Sequence, residues 1–142
     1  MIFAPLASFD DLLARATVSD KARLRIEAEL MAARTKARPV LIEGIPAWVE
    51  AIPGEPSRRP YLIVIGLPVT NWPWRSPWAR VLEPGITDRP PHLLGDGTLC
   101  LWHASRPSIS VLYARSRAVV WIRCVEIWRR TGQWPTNEWR ER

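Results

Sequence analysis

Residues 60 to 67 read Pro60-Tyr61-Leu62-Ile63-Val64-Ile65-Gly66-Leu67, an apolar run with three consecutive β-branched side chains. A run of this length, bounded by proline and glycine, is typical of a buried β-strand. The surrounding residues 39–107 contain twelve of the fourteen prolines, which excludes a long helix there. We therefore predict further strands at 40–51 and 78–83. Pro46 requires an edge or a bulge, and the short connections favour an antiparallel meander of three or four strands.

Helices are predicted before the meander. Two motifs have the form of a capping box, in which side chains satisfy the first backbone N–H groups of a helix: Ser8-x-x-Asp11 and Thr17-x-x-Asp20. They predict helices at about 9–16 and 19–36. The expected buried face of the second helix follows a spacing of three or four residues, and consists of Ala22, Ile26, Leu30 and Ala33.

A long amphipathic helix is predicted after the meander, at 108–132. Its apolar residues fall on one face of a helical wheel and should lie across the sheet as a central helix: Val111, Ala114, Ala118, Trp121, Ile122, Val125 and Trp128. Gly132 is a suitable C-cap, and Pro135 prevents a simple continuation, which leaves 133–142 as a tail.

These elements predict one α+β domain over 1–142. The chain has 142 residues, of which 47% are hydrophobic, so it can bury a substantial core but is too short for two ordinary domains. The predicted divisions are an N-terminal helical element at 1–38, a β-meander at 39–91, a turn at 92–103, the helix at 108–132 and the tail at 133–142. No apolar run approaches the roughly 20 residues of a membrane span. A cytoplasmic protein without a disulfide is expected.

The formal charge of +6 is concentrated in the C-terminal part of the chain. Residues 101–142 hold eight arginines and three glutamates, a net charge of +5, and the remaining residues contribute +1. Such a basic half is consistent with an acidic partner or a nucleic acid. The solvated outer face of the predicted helix is an alternative that explains most of these arginines.

The turn at 92–103 contains both histidines and one of the two cysteines of the chain, His92, Cys100 and His103. Gly95-Asp96-Gly97 between them predicts a tight turn that brings His92 towards Cys100. A thiol has an ordinary pKa of about 8.5, and imidazoles or backbone N–H groups beside it increase its thiolate fraction. Cys100 could be a small buried apolar residue between Leu99 and Leu101, but this placement favours a nucleophile. We assign Cys124 to packing.

The histidines leave several roles open. His92 can shape the turn, act as a general acid or base, or stabilise an oxyanion, and His103 either faces the same pocket or caps the following segment. The two cysteines and two histidines also form a Cys2His2 set, but only Cys100-x-x-His103 has the close spacing of zinc ligands, so we predict no metal. The sequence shows no phosphate-binding loop, paired carboxylates or Gly-x-Ser-x-Gly motif, which argues against nucleotide hydrolysis and serine hydrolysis. We predict no cofactor.

Two motifs, in this order, resemble the bacterial ubiquitin-conjugating-enzyme-like proteins: a histidine, a glycine-rich turn and Leu99-Cys100-Leu101, then a long helix ending in Trp128-Arg129-Arg130-Thr131-Gly132-Gln133-Trp134-Pro135. The resemblance covers about 39–139. Eukaryotic members carry His-Pro-Asn upstream of the cysteine, whereas this chain has Pro91-His92-Leu93 at that place, with no asparagine beside the histidine. His92 is therefore the local candidate for an oxyanion donor.

The resemblance implies a ubiquitin-conjugating-enzyme-like fold and a transferase in antiphage defence. Cys100 would carry, as a thioester, the C-terminus of a ubiquitin-like protein or of a cyclic-nucleotide synthase, and would pass it to an amine. The implied partners are that cargo and a ubiquitin-activating-like enzyme. Two other hypotheses remain at this point: an inactive conjugating-enzyme-like scaffold, and a basic nucleic-acid-binding domain, which is less favoured because no nucleic-acid motif is present.

Overall fold

The computed structural model describes residues 3, 4, 6, 8–101 and 110–135. The described elements are α1 (Phe9–Arg15), α2 (Lys21–Arg34), β1 (Arg38–Ile42), β2 (Ile45–Pro53), β3 (Pro60–Gly66), β4 (Trp78–Glu83) and α3 (Val111–Thr131). The four strands form one antiparallel sheet in the order β1-β2-β3-β4. The predicted α+β class and antiparallel meander are confirmed. Within the described ranges, no helix is long and apolar enough to cross a membrane.

The single strand predicted at 40–51 is wrong, because the chain reverses at Glu43-Gly44 and forms the β1–β2 hairpin. Both turn residues have positive φ, 51° and 83°, and this conformation suits the twist of a two-residue hairpin. Pro46 needs neither an edge nor a bulge: it lies at the start of β2 opposite Leu41. Its carbonyl accepts a hydrogen bond from the Leu67 N–H at 3.1 Å.

Only the first of the two predicted capping boxes caps a helix. Ser8 is the N-cap of α1, and its hydroxyl accepts from the Asp11 N–H at 3.1 Å. The N-cap of α2 is Asp20, which accepts from the Arg23 N–H at 3.0 Å. Thr17 instead donates its hydroxyl to the Gly44 carbonyl at 3.1 Å and so ties the chain before α2 to the β1–β2 turn.

The predicted buried face of α2 is also wrong. Its buried residues are Leu24, Glu27, Ala28 and Met31, whereas Ile26 is 58% exposed. The apolar pattern misleads here because a glutamate occupies the inner face. The buried Glu27 carboxylate accepts from the Val111 N–H at the start of α3 at 3.0 Å, and it also pairs with Arg23.

The apolar stripe predicted for the last helix is confirmed: its first six members are buried and Trp128 is partly buried. Gly132 is the C-cap, with φ 78° and its N–H on the Trp128 carbonyl. The description of this helix as long and central is wrong. Its main contacts are with β3, β4 and α2, so it covers one half of the sheet, while α1 packs on β1 and α2.

The core lies between the sheet and the helices. Trp48 and Ile65 face each other across β2 and β3, and Trp121 from α3 closes the core on the helical side. The loop between β3 and β4 divides its tryptophans between two environments. Trp72 is buried, whereas Trp74 is 82% exposed.

Candidate active site

Residues 92–100 form a second tight hairpin, which we call the cysteine hairpin. Leu93 and Leu99 form an antiparallel bridge. The Cys100 N–H donates to the His92 carbonyl at 2.8 Å, and the Leu94 N–H donates to the Thr98 carbonyl at 2.8 Å. His92 and Cys100 are therefore paired across the hairpin, as the sequence predicted from the intervening glycines.

The tip of the cysteine hairpin is held by its own polar groups. Gly97 has φ 88°, a conformation that glycine adopts without steric cost. Asp96 Oδ1 accepts from the Thr98 N–H at 2.9 Å and from the Thr98 hydroxyl at 2.6 Å. The hydrogen bond from the Thr98 hydroxyl has the larger effect on the pKa of Asp96, and together with the bond from the Thr98 N–H it lowers this pKa below its usual value. Asp96 thus shapes the turn and is a poor proton acceptor at neutral pH.

Both layers of the domain hold this hairpin in place. The Leu99 N–H donates to the Ala79 carbonyl at 2.9 Å, so the second arm lies beside β4. From α3, the Trp121 Nε1–H donates to the His92 carbonyl at 3.0 Å, and Arg117 Nε donates to the Leu101 carbonyl at 2.8 Å. Hydrogen bonds from β4 and from α3 therefore hold the hairpin that carries His92 and Cys100.

The His92 ring packs against an aromatic cluster at the end of α3. Its centroid lies 5.1 Å from the Trp134 ring, at an interplanar angle of 54°, and Trp134 in turn lies 5.9 Å from Trp121. His92 itself has φ 60°, uncommon for a residue with a side chain. Trp134 thus packs against the imidazole, and Trp121 packs against Trp134. The sequence marked Trp134 only as part of a motif.

The two cysteines differ in their surroundings, as the sequence analysis expected. Cys100 is partly buried and packs against the edge of the core, whereas Cys124 on α3 is 4% exposed. His103 lies outside the described residues, so its predicted role stays a prediction. Within the described ranges, no group of three or more potential metal ligands is close together.

A second polar cluster, which sequence reasoning missed, joins the 54–59 loop to α3. Glu126 is 7% exposed and accepts from the Ser57 N–H at 2.9 Å and from the Ser57 hydroxyl at 2.5 Å. Tyr61 also hydrogen-bonds this carboxylate, and Arg129 donates to the Tyr61 hydroxyl at 3.3 Å. The cluster lines an open cavity of about 330 Å³.

The electrostatics of this second cluster favour a charged carboxylate. Burial alone would raise the pKa of Glu126, but the hydrogen bonds from Ser57 and Tyr61 outweigh burial and bring the pKa below its ordinary value. Burial and the neighbouring Glu126 raise the pKa of Tyr61. Arg129 pairs with Asp88 through two short bonds of 2.7 and 2.9 Å. Glu126 links α3 to the 54–59 loop, and its position in the sequence does not predict this link.

Comparison of the chain with protein-family models, with curated proteins and with solved structures finds no match.

Proposed function

We propose that this chain is a cysteine-dependent conjugating enzyme, in which Cys100 carries an acyl group as a thioester and passes it to an amine. The observation that supports the proposal is the pairing of Cys100 with His92 across a hairpin anchored to both layers of the domain. A nucleophile held in this way loses little orientational freedom before reaction, which is one of the larger sources of rate acceleration. The family resemblance suggests the cargo, a ubiquitin-like protein or a cyclic-nucleotide synthase.

The proposed chemistry has two steps. The Cys100 thiolate attacks the activated C-terminal carbonyl of the cargo on its activating enzyme; a new C–S bond forms, and the leaving group departs with the electron pair of the old bond. An amine then attacks this thioester, a C–N bond forms, and the Cys100 thiolate leaves while the amine loses a proton. Because the thioester already stores the activation energy, the site has to position the amine and stabilise the developing oxyanion. His92 is the candidate donor for that oxyanion.

The test is co-expression with a ubiquitin-activating-like enzyme and a candidate cargo. We expect a higher-mass adduct on the wild-type protein, which thiol reductant removes. Cys100→Ser is expected to hold the cargo as a reductant-resistant oxyester, and Cys100→Ala to hold nothing. Cys124→Ala is the matched control and should behave as wild type. Biological activity of Cys100→Ala, with no adduct on any variant, would overturn the proposal.

The role of His92 is tested in the same assay. Because its φ is positive, His92→Ala removes the imidazole and keeps a Cβ in this strained conformation, whereas His92→Gly removes the imidazole and also relieves the strain. We expect both variants to slow discharge of the thioester by roughly 10- to 1000-fold, with thermal stability nearly unchanged in His92→Gly. A normal discharge rate in His92→Gly would assign His92 to the turn.

A non-catalytic binding module is the second candidate, and one observation favours it: Cys100 packs against the edge of the core, as a structural cysteine does. Nucleic-acid binding receives less support. Three of the five arginines between 115 and 130 make bonds within the domain, Arg115 to Glu50, Arg117 to Leu101 and Arg129 to Asp88. Those arginines are not available as a simple phosphate-binding surface.

A further inference from the structure

A cleft lies beside the cysteine hairpin, between β4 and the loop that joins β3 to β4. Its volume is about 450 Å³. Its lining combines the apolar residues Val69 and Trp78 with the polar residues Arg75, Ser76, Arg80 and Thr98. None of these residues has a part in the proposed acyl transfer. The cavity at Glu126 also contains arginines, but its lining includes the buried Glu126 carboxylate.

Arg80 is the central residue of the cleft. One end of its guanidinium, Nη2, donates to the Asp96 carbonyl at 2.6 Å, and the guanidinium lies against Gly97. Its Nε is buried and has no hydrogen-bond acceptor among the described residues. A buried donor without an acceptor is costly, so native structures rarely keep one without a reason. The guanidinium is thus held in position while its Nε remains without an acceptor among the described residues.

The charges in the cleft favour an anionic group. Arg75 is exposed and supplies a second positive charge. The one acidic residue of the lining, Asp96, is charged at neutral pH and interacts with Arg80, while its Oδ1 accepts from Thr98. Two arginines against one aspartate leave the lining with a net positive charge. The planar fork of an arginine matches a carboxylate, which can accept two parallel hydrogen bonds. The side of Trp78 and Val69 is suited to the methylene groups that precede such a carboxylate.

We propose that this cleft binds the carboxylate side chain of an acidic peptide segment in a partner protein, with Arg80 as the anchor and Arg75 as the second cation. The inference does not depend on acyl transfer at Cys100. Because Arg80 also holds the tip of the cysteine hairpin, a peptide bound here lies next to the hairpin that carries Cys100. The cleft thus supplies a recognition site beside the proposed reaction centre.

The experiment uses a blocked pentapeptide, acetylated and amidated, with one central glutamate, and an identical peptide with glutamine. The signal is the Nε–H resonance of Arg80, followed by nuclear magnetic resonance at low salt. We expect the glutamate peptide to shift this resonance saturably and the glutamine peptide to leave it in place. Inorganic phosphate is the third probe. If phosphate saturates the shift at a lower concentration than the glutamate peptide does, the cleft is a site for a free anion and the peptide proposal is overturned.

Variants test the two cations. Arg80→Gln should weaken binding of the glutamate peptide by about tenfold or more, and Arg75→Gln by about threefold. Arg123→Gln removes the same charge from the exposed face of α3, and should bind as wild type. If Arg80→Gln fails to fold, Arg75→Gln decides, since Arg75 is exposed. Equal losses in Arg75→Gln and Arg123→Gln, or equal binding of the two peptides, would overturn the proposal. The rate of Cys100 alkylation in Arg75→Gln is measured separately, and shows whether this substitution also affects the thiol.

Discussion

At the scale of single residues, the two thiols of this chain show how surroundings distinguish identical side chains. Cys100 is partly exposed on a hairpin in which its backbone pairs with that of His92, whereas Cys124 is buried within the face of α3 that contacts the core. Reactivity of a thiol follows its access to solvent and its thiolate fraction. The two cysteines should therefore react at different rates.

We predict that iodoacetamide modifies Cys100 in the folded protein well before Cys124. A difference of at least about tenfold in rate is expected, because alkylation of Cys124 requires local opening of the core. Mass spectrometry of quenched time points, followed by peptide mapping, measures both rates. In denaturant the two rates should converge, which is the control. Equal protection of both thiols in the native protein would contradict the assignment of Cys100 as the reactive residue.

At the scale of elements, turns and caps that use positive φ set where strands and helices end. Gly44 closes the β1–β2 hairpin and Gly132 ends α3, with φ 83° and 78°. A Cβ at Gly44 would also lie 2.9 Å from Thr17 Cγ2, whereas one at Gly132 would meet nothing within 4 Å. Gly85 lacks both constraints. The three positions thus separate backbone strain from steric clash.

We predict that replacing these three glycines by alanine changes the stability of the protein to different extents. Gly132→Ala should lower the free energy of unfolding by about 1 kcal/mol through backbone strain alone. Gly44→Ala should cost more, about 2 to 3 kcal/mol, because strain and the clash with Thr17 add. Gly85→Ala should be neutral or slightly stabilising and serves as the control. Urea denaturation measures all three, and the reverse order for Gly44 and Gly85 would refute the assignment of the hairpin turn.

At the scale of the whole molecule, buried carboxylates join elements that are distant in sequence. Glu27 links α2 to the start of α3, Glu50 pairs with Arg115 to link β2 to α3, and Glu126 links α3 to the 54–59 loop. A buried charge is stable only when it is well paired and hydrogen-bonded. Such links fix how the sheet and the helices are arranged against each other.

We predict that Glu126 contributes stability that is lost in acid. Its pKa is lowered in the folded protein, so this contribution is present above the ordinary glutamate pKa and is lost as pH falls through the lower folded value. Glu126→Gln should therefore reduce stability at pH 7, by about 1 to 3 kcal/mol, and flatten its fall between neutral and acidic pH. Glu83→Gln, at the exposed end of β4, is the charge-matched control. If the stability of Glu126→Gln had the same pH dependence as that of the wild type, Glu126 would not contribute stability as predicted.

The parts of the fold that could be predicted from the sequence depend on local pattern. The strand at 60–67, the strand at 78–83, the Ser8 cap and the apolar stripe of α3 were predicted because neighbouring residues alone specify them. The Glu43-Gly44 turn carried a local signal as well, since glycine in a two-residue turn favours a hairpin. That signal was overlooked because residues 40–51 were treated as one strand.

The sequence by itself determined the α+β class, the antiparallel meander and the grouping of His92 and Cys100 around a glycine-rich turn, because periodicity and turn chemistry act within a few residues. Only the tertiary structure decided which face of α2 is buried, that Thr17 serves the β1–β2 turn, and that Trp134 packs on His92. The contacts of Glu126 and Arg80 were likewise decided by the tertiary structure. Their roles depend on partners many positions away in sequence, and burial creates those partnerships only when the chain is folded.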